Sequence, residues 1–513
     1  VGSISKLFTW TAVMQLVEQG KLDLDTDVNA YLDFEIPSQL EITSGASEAE
    51  AITLTHLMTH TPGFEDNSET LFRLSQTEAL SLHEYVRSDL PARVFPAGEV
   101  IAYSNYGSAL AGYIVEQVSG IPFEEYVQQH IFTPLGMEHS TFRQPLPEDL
   151  SSNMAQAYRY VDGEFLPGAF EFMPSPAGGL SSSAEDMAQF MLAHLQGRRL
   201  HDARILEEDT VRQMQGGQFT HHPSLQGISY GFMERQFNDR RVLLHPGSTM
   251  IFDSGLYLLP EENTGLFISY SGGDYRTHTE IFEAFMDRYF PAFSPVSSSV
   301  GSEHAPSIEM AKRSKEFTGE DYQNRKSFTT SEKFISLVSG LIHVESDEEG
   351  YLQVTHLGEN YTFVETEPGI YYNLAQENVI DPLGSFSTIV FESDPLARTL
   401  LLTDGPMSYS RAPWYSTSSF TFPTLIISLL LIIGSFVYWM VKAGARSIRN
   451  RFLSQRHSDQ QVDQKKNTVK LISRFAAALY SVLTIGFVVG LVVTSEVDPV
   501  YGLPKAYYGA IPA

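Results

Sequence analysis

The 513-residue chain contains no cysteine. That absence excludes disulfide bridges, a thiolate nucleophile and any cysteine-ligated zinc centre. Basic residues are also scarce, at 34 Lys and Arg against 62 Asp and Glu, for a formal net charge of -28. A protein that releases counterions from a nucleic-acid backbone needs a basic face, so nucleic-acid binding is excluded as a partner class. No start methionine and no basic, apolar, small-residue leader pattern precede the first apolar segment "VGSISKLFTW". The expectation is that natural sequence precedes Val1 and that further spans follow the C-terminal "YGLPKAYYGAIPA".

What is present is apolar surface enough for more than one domain, with 42% hydrophobic and 12% aromatic residues. Two stretches stand apart, at residues 420–441 and 471–493, each with about the twenty uncharged apolar residues that cross a hydrocarbon core. The segment between them, 442–470, is basic, and short basic loops stay in the cytoplasm. Of the charged residues, ten Lys and Arg and four Asp and Glu fall within 442–513, which leaves the upstream part at -34. The expected topology is a multi-pass cell-membrane protein with residues 1–412 outside the cytoplasm and an extracytoplasmic tail over 494–513.

Upstream, segments with helical and strand character alternate to about residue 293, which predicts an α/β domain of the α+β type. Residues 294–306, rich in Ser and Pro, read as a linker. Residues 307–412 hold turn-separated runs such as "GLIHVES", "YLQVTHL" and "FSTIVFES". Their β-branched and aromatic content predicts a small antiparallel β domain, sheet or barrel.

Three motifs bear on chemistry. On a helix, Ser3 and Lys6 stand at i and i+3 and share a face, with Ser3 near the positive end of the macrodipole. A serine hydroxyl needs a base, and either a lysine depressed by burial or a neighbouring tyrosinate can serve. Tyr103-Ser104-Asn105 lies just ahead of a helical segment, where Asn105 also fits an N-cap. His245-Pro246-Gly247 reads as the end of a strand, where Pro and Gly also suit a turn. His56 and His60 stand at i and i+4, but no Glu follows the first and no third ligand is evident, so no metal is expected. No phosphate cradle or other cofactor motif is present.

The order Ser-x-x-Lys, Tyr-x-Asn and His-x-Gly resembles the serine β-lactamase and penicillin-binding-protein superfamily. "VGSISKLFTWTAVMQLVEQGKLDLDTDVNAYL", "LTHLMTHTPGF", "FPAGEVIAYSNYGSALAGYIVEQVSG" and "PAGGLSSSAEDMAQFM" resemble its class C and esterase branch. The resemblance implies a β-lactamase/transpeptidase-like antiparallel sheet flanked by helices over residues 1–293, part of which would precede Val1. It implies Ser3 as acylated nucleophile, Lys6 as its proton-transfer partner and Tyr103 as proton relay. Asn105, His245, Gly247 and Ser248 would bind substrate, with the backbone N–H groups of Ser3 and Ser248 as oxyanion hole. It also implies an acyl-serine mechanism on peptide, amide or ester substrates without a cofactor. His245 departs from the Lys-Thr-Gly of penicillin-recognising members, and would gain charge for a substrate carboxylate only near its ordinary pKa of about 6.5. Residues 307–412 resemble an appended lipocalin-like domain, which implies oligomer contacts or a cover over the active site. A different class of function remains at this point: a non-catalytic membrane sensor using the same pocket.

Overall fold

The computed structural model describes residues 1–452 except 41–49, 68–70, 74, 77–78, 162, 198–202, 293–305, 331, 334–339, 357, 376–384 and 394–398. Residues 294–305 of the expected linker, residues 453–470 of the basic loop and the second apolar stretch at 471–493 therefore lie outside the described residues.

Residues 1–411 form one compact unit. After a single 3₁₀ turn at Gly2–Ile4, helix α1 runs from Ser5 to Glu18 and is buried continuously from Ser5 to Leu16. Its sequence contains neither Gly nor Pro and is apolar on nearly every side, the signature of a core helix rather than an amphipathic surface one. Packed against it is α2 (Asn105–Ser119), which ends at Gly120 in the left-handed conformation. Helix α3 (Ala184–Gln196) and helix α4 (Thr277–Tyr289) complete the main helical set.

A short hairpin, β1 (Tyr158–Val161) and β2 (Glu164–Pro167), precedes a six-stranded antiparallel sheet. The sheet runs in sequence order through β3 (Gly217–Phe219), β4 (Ile228–Ser229), β5 (Met233–Phe237), β6 (Arg240–Ser248), β7 (Asp253–Leu259) and β8 (Thr264–Tyr270). Side chains on a strand alternate between faces, and β7 divides accordingly. Leu256 and Leu258 enter the core shared with α1, α2 and α3. Tyr257 and Leu259 enter a second core with Phe282 and Met286 of α4. Both faces are covered, which is why β7 reads as an unbroken apolar run.

The β region closes into an eight-stranded antiparallel barrel. Its strands are β9 (Gly319–Gln323), β10 (Leu341–Ser346), β11 (Leu352–His356), β12 (Glu359–Glu367), β13 (Ile370–Asn373), β14 (Ser385–Ser393), β15 (Thr399–Asp404) and β16 (Ser408–Arg411). The motif runs in the sequence correspond to β10–β15, while β9 and β16, which close the ring, carry no apolar signal. They are joined by a cross-strand ion pair: Arg411 Nε donates to the fully buried Asp321 carboxylate at 3.0 Å.

The barrel is bonded to the helical and sheet region at several points. Buried Glu65 accepts hydrogen bonds from the backbone N–H groups of Phe328 (2.6 Å) and Thr329 (2.8 Å) and from the Thr329 hydroxyl (2.5 Å). Asp404 Oδ1 accepts from Gln226 N at 2.7 Å, and Ser408 Oγ donates to the Ile101 carbonyl at 2.7 Å. Apolar side chains of the two parts merge, with the Phe95 and Phe328 rings edge to face at 5.5 Å.

The second unit begins at Ala412. Its helix α5 (Ser418–Phe452) contains one stretch, Ser418–Arg446, long and apolar enough to cross a membrane and not buried by the described residues. The helix continues through Lys442, Arg446, Arg449 and Arg451, so the start of the expected loop at 442–470 is helical. Among the described residues there is one such helix, and multi-pass topology rests on sequence outside them.

Replacing the buried Glu65 by Ala leaves two part-buried N–H groups without their charged acceptor, at a cost of about 2–3 kcal/mol. The Phe328 and Thr329 amides should then exchange with deuterium about 30- to 150-fold faster. Unchanged exchange would mean that Glu65 does not hold the barrel.

Candidate active site

Ser3 lies in the 3₁₀ turn at the head of α1 and is partly exposed, whereas Lys6, one turn on, is completely buried. The Lys6 Nζ lies 3.1 Å from Ser3 Oγ, and it donates to Asn105 Oδ1 at 2.8 Å and to the Ala177 carbonyl at 2.6 Å. It also sits 4.9 Å from the centroid of the Tyr103 ring. Three acceptors around one amine favour the ammonium. Complete burial and, secondarily, the positive charge of Arg325 oppose it, and despite the nearby Asp66 the Lys6 pKa falls well below its ordinary value.

Asn105 is free for this contact because the preceding residue caps α2: Ser104 Oγ accepts from the Gly107 N–H at 2.9 Å. The Ser104 N–H in turn donates to His60 Nδ1 at 3.2 Å. His60 is buried, lies with its ring centroid 4.4 Å from that of Tyr103, and is held neutral first by burial and then by Lys6. The bond at Nδ1 places its proton on Nε2. Burial pushes the Tyr103 phenol up, with a hydrogen bond to Ser3 opposing, so the hydroxyl keeps its proton at neutral pH. Of the two bases open from sequence, the tyrosinate is therefore disfavoured and the amine favoured.

His245-Pro246-Gly247 lies at the end of a strand, as expected, and does not form a turn. Strand β6 continues to Ser248 in register with β7, pairing Pro246 with Gly255 and Ser248 with Asp253. A proline fits there because β5 stops pairing at Leu244, so β6 has one neighbour beyond that point. Gly247 allows this strand to meet the Gly2–Ile4 turn: a side chain there would come within 2.1 Å of the Val1 carbonyl oxygen. Gly2, at a positive φ of 58°, likewise makes room for the Ser248 backbone. The Ser248 hydroxyl itself donates to Asp253 at 2.6 Å.

His245 is buried beside Tyr103, with ring centroids 6.3 Å apart. Its Nδ1 lies 2.7 Å from the Pro246 carbonyl, which makes Nδ1 the donor and leaves Nε2 a buried acceptor without a partner among the described residues. Burial first, and Lys6 second, push its pKa down to about 3. The expectation that it gains charge near pH 6.5 is thus corrected: the imidazole stays neutral through the physiological range.

All seven sequence-predicted positions fall in one neighbourhood, around the first turn of α1, the start of α2 and the end of β6. Several further residues there were not legible as site residues. The Ala177 carbonyl lies in the "PAGG" segment, and the sequence offers His60 only as half of an i, i+4 histidine pair. Arg325 comes from the barrel, with its guanidinium 5.1 Å from the Tyr103 ring centroid.

The profile of the beta-lactamase family matches residues 1–281. A beta-lactamase of Yersinia enterocolitica is 25% identical over 248 residues, covering 48% of this chain and 59% of the relative. Penicillin-binding protein 4 of Amycolatopsis lactamdurans is 30% identical over 201 residues, covering 38% of this chain and 50% of the relative. The chain thus spans about half the length of the curated relatives it matches. The solved structure of SurE, 21% identical with a TM-score of 0.52, aligns over 80% of this chain and 87% of its own, a likeness of fold that extends past residue 281 into the barrel. With more than half of its residues matched by the profile, the chain belongs to the beta-lactamase family.

Proposed function

We propose that this chain is a membrane-anchored serine hydrolase of the class C-related branch that cleaves peptide, amide or ester substrates through an acyl-serine. The observation that supports it most is the buried Lys6 amine, 3.1 Å from a partly exposed serine hydroxyl. A neutral amine has two N–H groups and one lone pair. Its two shorter contacts, to Asn105 and Ala177, are with atoms that can only accept, and they use both N–H groups. The lone pair is left for Ser3.

On this reading Ser3 Oγ–H passes its proton to Lys6 Nζ as Oγ attacks the substrate carbonyl carbon. The oxyanion is received by the backbone N–H groups of Ser3 and Ser248, each worth about 3 kcal/mol in such sites. As the carbonyl re-forms, the Tyr103 phenol donates its proton to the departing amine or alkoxide and is reprotonated from Lys6. Water then attacks the acyl-serine by the reverse relay. Asn105 serves both to hold Lys6 and to meet the substrate amide. A neutral His245 offers only an acceptor at Nε2, so the end of β6 presents no permanent cation to a β-lactam carboxylate. This supports D-amino-acid peptidase or esterase chemistry over potent β-lactamase activity, and a carboxypeptidase would need its substrate carboxylate held by a group outside β6. A pure sensor would have no use for a dehydrated amine aimed at a serine.

The anchor is α5, flanked by exposed Trp414 and Tyr415 on one side and by Lys442, Arg446, Arg449 and Arg451 on the other. Aromatic residues favour the interface and Lys and Arg the cytoplasmic side, which supports a hydrolase outside the cytoplasm. The second span at 471–493 belongs to the same proposal.

In the full-length protein a fluorophosphonate should label Ser3 alone, as located by mass spectrometry. Ser3→Ala should abolish turnover, and Lys6→Ala and Tyr103→Phe should each lower it at least about a hundredfold, the scale of a lost acid–base group. Labelling at Ser5, or persistent activity in Ser3→Ala, would reject the assignment. For topology, single cysteines at Ser297 and Ser458 in this cysteine-free chain should respond oppositely to an impermeant thiol reagent on intact cells. The first should be labelled and the second spared; the reverse pattern would overturn the orientation.

A further inference from the structure

The barrel places a charged group directly in the hydrolase site. Arg325 follows β9, in a segment fixed by Asn324, which is buried and bonded through Nδ2 to Ser408 Oγ (2.8 Å) and through Oδ1 to the Ser410 hydroxyl (2.6 Å). Its Nε donates to Asp66 Oδ2 at 2.9 Å, and its guanidinium lies over the Tyr103 ring. The field of this one side chain reaches Lys6, His60 and Tyr103 together, which places it over the reacting groups rather than at a distant rim. Only Nε is bonded within the protein among the described residues, so the two Nη groups remain as a planar fork of donors, on a side chain 21% exposed.

That fork stands out against its surroundings. His60 and His245 are neutral, the Lys6 amine is committed to Ser3, Asn105 and Ala177, and the neighbouring Lys326 ammonium sits over the Tyr322 and Phe328 rings. Asp66 offsets the charge of Arg325 but occupies only its Nε edge. A guanidinium with one edge anchored and the other vacant matches a carboxylate in bidentate geometry.

We propose that Arg325 is the specificity-determining residue of this enzyme, reading a carboxylate on the substrate held at Ser3, so that the barrel supplies the cation that β6 does not. This rests on Ser3 being the reactive serine. The barrel is then part of the substrate site, and substrates ending in a free acid are favoured over their neutral counterparts.

The test uses the full-length chain in detergent and a neutral fluorophosphonate that labels Ser3. Protection of Ser3 is measured with N-acetyl-D-alanyl-D-alanine and with its C-terminal amide. The wild type should be protected by the acid at a concentration at least about tenfold lower than by the amide, as a charge-assisted pair requires. Added salt should weaken protection by the acid and leave the amide unaffected. In Arg325→Gln the acid-to-amide preference should collapse toward unity, and Arg325→Lys, which keeps charge without the fork, should restore part of it. The ratio is the readout, since any change shared by both ligands reports on Lys6 or on docking of the loop. A wild type without acid preference or salt sensitivity, or an Arg325→Gln variant that keeps the preference, overturns the proposal and leaves the hydrolase reading intact. A Ser3 that cannot be labelled in the wild type overturns the hydrolase reading, and this inference with it.

Discussion

A lysine amine with no exposed surface is the constraint on which the rest of the site depends. Burying an ammonium is costly unless it is paired with an anion, and among the described residues no carboxylate touches Lys6; its partners there are a hydroxyl, a side-chain amide and a backbone carbonyl. The fold therefore holds the amine uncharged, and each partner arises from a different element. Ser3 comes from the turn before α1, Asn105 from the first position of α2, and Ala177 from the short segment packed on both. Displacing any one of them would leave the amine with a bare contact in a dry interior.

Tyr103 shows how far that arrangement extends. Its ring belongs to the core shared by the sheet, α4 and the interior of the barrel. Its N–H donates to the Pro406 carbonyl at 3.2 Å, in the turn between β15 and β16, while Arg325 covers its ring. The segment carrying the phenol is thus clamped by the barrel on its backbone and on its face. The barrel is joined to the candidate site through hydrogen bonds and a common core.

Much of this was legible in the sequence because the chemistry demands local spacing. Ser3 and Lys6 meet at i and i+3, and the six apolar runs of the β region correspond to β10–β15. What was hidden depended on tertiary partners. The ring-closing strands β9 and β16 are polar, with Asp321 and Arg411 neutralising each other across the pair, so neither displays a strand pattern. Pro246 suggested a turn, because a sequence cannot show that β5 has already stopped pairing. Asn105 suggested a cap until Ser104 was seen to fill that role. The neutrality of His245 follows from burial and from Lys6, which lies 239 positions away in the chain, and nothing near Arg325 marks it as reaching Tyr103.

The account stands or falls on the charge of Lys6, and the pH dependence of Ser3 phosphonylation reads it directly. A base with a depressed pKa is competent above that pKa and loses competence as the pH falls through it. The labelling rate of the full-length protein, followed from pH 5 to 11, should level off well below the pH at which an ordinary lysine titrates and should decline as the pH falls through the depressed Lys6 pKa. A rate that keeps climbing tenfold per pH unit from neutrality to about 10.5, where an ordinary lysine titrates, would show that Lys6 is charged in the folded protein and would contradict the mechanism.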